Sequence, residues 1–106
     1  MTTTRDQLIS VLCSHTGRDR GVGARTLAMH LDINERQLRL AISALREDGI
    51  AVCGTPSTGY YIAQTAEELD ECCAFLRSRA MHSLVIESRL RQIPLPDLIG
   101  QLRLPT

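Results

Sequence analysis

The spacing of apolar and polar positions divides the chain into a run of helices interrupted by one hairpin. Leu8, Ile9, Val11 and Leu12 recur at helical spacing and predict a helix over residues 5–15, with one of the N-terminal threonines as its cap. A loop dense in glycine and charge runs from Gly17 to Gly23, and its Val22 can form a strand of one or two residues. Residues 24–31 read as a short helix with Leu27, Ala28 and Leu31 inward, and Asp32-Ile33 as a tight turn. Asn34 and Gln37 then make a capping-box pattern. The helix they open has Leu38, Ala41, Ile42 and Leu45 on one face and stops after Asp48 at Gly49.

Beyond Gly49 the period changes. Ile50 to Cys53 reads as a strand, Gly54 to Gly59 as a turn, and Tyr60 to Ala63 as the return strand. Thr65 with Glu68 is a second capping-box pattern, opening a long helix that Pro94 terminates after about Gln92. Acidic residues (Glu67, Glu68, Asp70, Glu71) lead this helix and Arg77, Arg79, Arg89 and Arg91 follow, an order that complements its dipole. In the tail, Asp97 can cap one short turn carrying Leu98, Ile99 and Leu102. The expected fold class is mainly α with a small β-hairpin (α+β). Residues 1–63 form the first domain, 64–93 the long helix, and 94–106 a tail with a short amphipathic segment.

Composition narrows the picture further. The 106 residues make one ordinary domain, and aromatics are only 3%, so the core is aliphatic. Net charge is zero, which excludes a polycationic nucleic-acid coat. All 12 basic residues are arginine, whose fork suits phosphate and guanine. No apolar run is long enough for a membrane span, and no signal-peptide stretch opens the chain, so the expected location is cytoplasmic. Cys13, Cys53, Cys72 and Cys73 lack metal or redox spacing and read as small hydrophobes of the interior. His15, His30 and His82 have no nucleophile partner in a recognisable motif, and no glycine-rich phosphate loop follows a strand. Neither an enzyme, a metal site nor a cofactor is expected.

Thr26-Leu27-Ala28 with Leu31, then Ile33-Asn34-Glu35-Arg36-Gln37-Leu38, resembles the helix-turn-helix core of winged helix-turn-helix DNA-binding domains. Ala41-Ile42-Ser43-Ala44-Leu45-Arg46-Glu47-Asp48-Gly49-Ile50 and Gly59-Tyr60-Tyr61-Ile62 resemble the segment and return strand that follow it there. The N-terminal domain of biotin-ligase repressors is similar, as are small prophage winged-helix proteins, whose wing leads into a long arginine-rich helix. This resemblance implies duplex DNA as the partner, read by the helix after Asn34.

The residues agree with that implication. With Leu38, Ile42 and Leu45 inward, the outward face presents Glu35, Arg36, Gln37, Arg39, Leu40 and Ser43, and Asn34 at the helix cap is a further candidate contact. Arginine suits guanine edges and phosphates, glutamine adenine, and serine either. Arg25, and Arg18 or Arg20, are candidates for phosphate contacts, as are Ser57 and Thr58 in a hairpin turn that holds no cation. Residues 1–63 carry seven arginines against six acidic residues, so binding should need two protomers. Apolar positions of the long helix exceed what a small domain covers, which places a homodimer seam at Ala80, Met81, Leu84 and Val85. The expected activity is sequence-specific DNA binding by a small dimeric transcriptional regulator or a phage or prophage replication factor. The alternative is a winged-helix protein-interaction module that does not read DNA, and the tail is a surface for a protein partner in either case.

Overall fold

The computed structural model describes residues 3–102. The expected Arg103 and Leu104 of the tail lie outside the described residues. Five α-helices and one two-stranded antiparallel hairpin make up the described chain, an α+β composition. The chain divides into two compact units, Met1–Cys72 and Cys73–Thr106.

The first unit opens with α1 (Thr4–Leu12), capped by Thr3 in a capping box with Asp6. The helix ends three residues earlier than its apolar spacing predicts. The hairpin claims the backbone that follows: Ile62 N–H donates to His15 O at 2.9 Å and Gly17 N–H to Ile62 O at 2.8 Å. A single 3-10 turn, Arg18–Arg20, follows. Val22 then forms the short strand expected of it, exchanging bonds of 2.8 and 2.7 Å with Tyr60.

The second helix, α2 (Ala24–His30), closes at Leu31, and Asp32 takes a left-handed conformation at φ 55°. Ile33 N–H reaches back to Ala28 O at 3.0 Å, completing a Schellman turn around a residue that is not glycine. Next comes α3 (Glu35–Glu47), whose expected capping box is present. Asn34 Oδ1 accepts from Gln37 N–H at 2.7 Å, and Gln37 Oε1 accepts from Asn34 N–H at 2.9 Å. Its end repeats the turn around Gly49, with Ile50 N–H on Leu45 O at 3.0 Å. Leu38, Ile42 and Leu45 of α3 bury themselves against Leu8 and Leu12 of α1, Leu27 and Ala28 of α2, and Val52. Burying leucine or isoleucine side chains at roughly 1.5–3 kcal/mol each makes this cluster the main stabilising feature of the unit.

The strands are β1 (Val52–Thr55) and β2 (Gly59–Ile62), paired Val52 to Ile62 through Thr55 to Gly59. Pairing therefore runs two residues further out than the expected strand at 50–53, and the turn shrinks to Pro56, Ser57 and Thr58. The cause is Thr55. Its Oγ1 accepts from Thr58 N–H at 3.2 Å, and its own N–H donates to Thr58 Oγ1 at 3.0 Å. That side-chain clasp closes the hairpin tip without an Asn-Gly turn. Because β2 has β1 on one side and Val22 and Thr16 on the other, neither of its edges is left open. Behind the hairpin, Cys53, Tyr61 and Cys72 form a second buried cluster, and burial pushes the Tyr61 phenol above its ordinary pKa. Cys13 and Cys73 are exposed, contrary to the interior role expected of all four cysteines. Cys13 caps α1, and Cys73 is about 100° around its helix from Cys72.

The long helix α4 (Ala66–Arg91) has Thr65 as its cap, accepting from Glu68 N–H at 3.1 Å. Its C-terminus turns at Gln92, left-handed at φ 57°, with Ile93 N–H on Ser88 O at 3.0 Å. The tail holds a two-turn helix α5 (Leu95–Gln101), with Pro94 and not the expected Asp97 at the N-cap position and no side-chain cap. Asp97 lies inside the first turn, donating its N–H to Pro94 O at 3.0 Å. Of the tail's apolar residues Leu98 is buried, while Ile99 and Leu102 stay exposed. No helix among the described residues is long and apolar enough to cross a membrane.

Candidate nucleic-acid interface

The tight turn at Asp32 and the cap at Asn34 fix the start of α3, and its buried stripe then decides which side chains face outward. Arg36, Arg39, Leu40 and Ser43 are all exposed, and Leu40 keeps 64% of its surface. Neither Arg36 nor Arg39 has an ion-pair partner among the described residues. Arg25, one residue into α2, and Arg20 are likewise exposed without an ion pair.

Four expected contacts are already committed elsewhere. Arg18, offered with Arg20 as a phosphate ligand, pairs with Glu71 at 3.1 Å, and its backbone N–H donates to Glu68 at 3.0 Å. Its charge is spent on holding the 3-10 turn to the start of α4. Gln37 and Asn34 are exposed, but their side-chain oxygens serve the cap. This leaves Gln37 with its amide donors and only part of the donor–acceptor pair that reads adenine. In the hairpin tip, Thr58 Oγ1 donates to Gly59 O at 3.0 Å and accepts from Thr55, so its first role is to shape the turn. Ser57 is exposed, its hydroxyl 3.0 Å from that of Thr55. No hydrogen bond or ion pair joins the tip to α3 among the described residues.

The sequence reading missed the braces of this surface, although it named Glu68 as a capping residue. Arg46 Nε donates to Val52 O at 2.8 Å, tying the end of α3 to β1. Arg5 meets Asp48 at 2.6 Å, joining the two ends of α1 and α3. Glu68 Oε1 accepts from Gln64 N–H at 2.8 Å while its Oε2 takes Arg18 N–H. None of these leaves a periodic signal, because each joins segments distant in sequence or uses a backbone partner.

The Arg18 and Gln64 N–H groups, in that order, hold the Glu68 carboxyl below its ordinary pKa. A depressed folded-state value means that the stabilisation is complete above the unfolded value near 4.5 and fades as the pH falls through the folded one. Glu68→Gln is therefore expected to melt below the wild type at pH 7, with the gap closing as the pH falls below 4.5. Thermal melts across that range check this, and a gap that stays constant into acid would show that the carboxylate is not the stabilising form.

In the second unit, Ala80 and Met81 are exposed and Leu84 and Val85 are half-buried. The largest exposed apolar surfaces of that helical segment lie on Ile86 (47%) and Leu90 (79%), one turn apart. Arg91 pairs with Glu87 of its own helix at 2.8 Å. Among the described residues no group of three His, Cys, Asp or Glu is placed to hold a metal ion. No family model, no curated protein and no solved structure matches the chain.

Proposed function

We propose that this chain is a duplex-DNA-binding protein of the winged helix-turn-helix type. In this reading α3 is the recognition helix, and a homodimer acts in transcriptional regulation or replication. The observation that carries it is the outward face of α3. Arg36 and Arg39 project from the first turns of a firmly capped helix, exposed and without an acidic partner among the described residues. Holding two guanidinium groups uncompensated on a rigid element suits an anionic ligand that supplies the missing charge. Arg20 and Arg25 extend the supply of cations for phosphate, and Ser43 and Ser57 add hydroxyls.

A second reading, a protein-interaction module, is favoured by Met29 (72% exposed) and Leu40 on the same helical pair, and by a hairpin tip without a cation. An electrophoretic shift with random-sequence duplex at low salt separates the two. DNA binding is expected, weakening steeply as salt rises because each neutralised phosphate releases counterions. Arg36→Ala and Arg39→Ala are each expected to cost about 1–3 kcal/mol of binding if they meet base edges. Both should leave the melting temperature unchanged, since neither side chain has a partner to lose. Full affinity in both folded variants would reject α3 as the recognition helix.

A further inference from the structure

Leu40 is an unusual occupant of the surface just described. It is the sixth residue of α3, and it lies one turn after Arg36 and three residues before Ser43, so all three share the outward face. With 64% of its surface in water it contributes little to the core, whose α3 members are Leu38, Ile42 and Leu45. Long helical side chains lean toward the N-terminus of their helix, so Leu40 leans toward Arg36. An apolar side chain beside an unpaired guanidinium matches two adjacent features of a major groove. Arginine takes the N7 and O6 acceptors of guanine, and an apolar group packs on the C5-methyl of thymine. We infer that Leu40 and Arg36 together read a thymine–guanine step, with Leu40 selecting the pyrimidine by its methyl group. The inference rests on α3 being a DNA-reading helix and adds the chemistry of the base pairs it selects.

Only the methyl need be varied to test it. The full chain is titrated by fluorescence anisotropy against a duplex of alternating thymine and guanine on one strand, long enough for two half-sites. A second duplex carries deoxyuridine at every thymine, which deletes the C5-methyl and leaves every hydrogen-bonding group in place. Burying one methyl-sized group is worth roughly a fourfold change in affinity, so the wild type should bind the deoxyuridine duplex at least about fourfold more weakly. Leu40→Ala should bind the two duplexes equally, and Arg36→Ala should bind both more weakly than the wild type does. Equal wild-type affinity for the two duplexes overturns the inference while leaving DNA binding intact. A thymine preference that survives in Leu40→Ala also overturns it, because the methyl is then read elsewhere or through duplex stiffness. Failure to bind either duplex at low salt overturns DNA reading itself, and the inference with it, and makes Leu40 part of a protein-facing surface.

Discussion

Replacing Ile86 and Leu90 together by aspartate is expected to yield a folded monomer and to weaken DNA binding by roughly a hundredfold or more. The two positions are the most exposed apolar residues of the basic half of α4, and they stand one turn apart. Being exposed, they can take a charge without leaving it buried in the chain's own interior. Half-buried Leu84 and Val85, which the sequence alone suggests for the same test, would confound loss of assembly with loss of local packing. At a seam, the two aspartates would face an apolar partner surface and remove its burial energy as well. The effect on DNA follows from tethering. Once one half-site is engaged, a linked second protomer binds at a high effective concentration, and that advantage vanishes in a monomer. A single base-contacting arginine is worth less. Sedimentation velocity at tens of micromolar and a DNA titration read the two effects separately. A wild-type monomer, or a variant that stays dimeric with full affinity, would remove the seam from the proposal.

The helical part of this architecture is legible in sequence because it is periodic. Leu38, Ile42 and Leu45 repeat every three and four residues, and Asn34 with Gln37 announces where the repeat begins. The hairpin was legible as a hairpin but not in its extent, since Gly54 and Thr55 look like turn residues. What extends the pairing is the clasp between Thr55 and Thr58, a local side-chain choice that composition does not reveal. The early end of α1 has a different origin, a non-local one: an apolar spacing permits helix to residue 15, but β2 needs the backbone of His15 and Gly17. At the candidate interface, exposure of Arg36 and Arg39 followed directly from the buried stripe. The commitment of Arg18 to Glu71 did not, because it spans 53 residues of sequence. Charge counting treats all arginines alike, whereas folding sorts them into braces and free ligands.

That dependence of the hairpin on β2's second edge makes Gly59 a sensitive glycine of the first unit, as is Gly21, whose added Cβ would lie 1.9 Å from Thr58 O. Gly59 sits at φ 73°, and a Cβ added there would lie 2.6 Å from both the carbonyl carbon and the oxygen of Val22, and 2.9 Å from Gly23 N. All of these are backbone atoms, so no rotamer change relieves the clash. The left-handed conformation costs an L-residue roughly 1–2 kcal/mol, and forcing the backbones apart adds about 1–3 kcal/mol. Gly59→Ala is therefore expected to lose roughly 2–5 kcal/mol of stability by these two terms. Gly49 supplies the comparison. It has φ 83°, yet nothing lies within 4 Å of its added Cβ, so Gly49→Ala should cost only the conformational part, about 1–2 kcal/mol. Urea denaturation of the two variants measures the difference directly. The separation also carries a functional consequence, because Val22 and Gly23 lead straight into α2 and Arg25. Pushing Val22 away from Tyr60 would shift the start of α2 relative to the hairpin, so Gly59→Ala should lose DNA affinity even at temperatures where it remains folded. Equal stability losses at Gly59 and Gly49 would mean that the backbone approach between β2 and Val22 contributes nothing, and that the hairpin stands independently of the α2 entry.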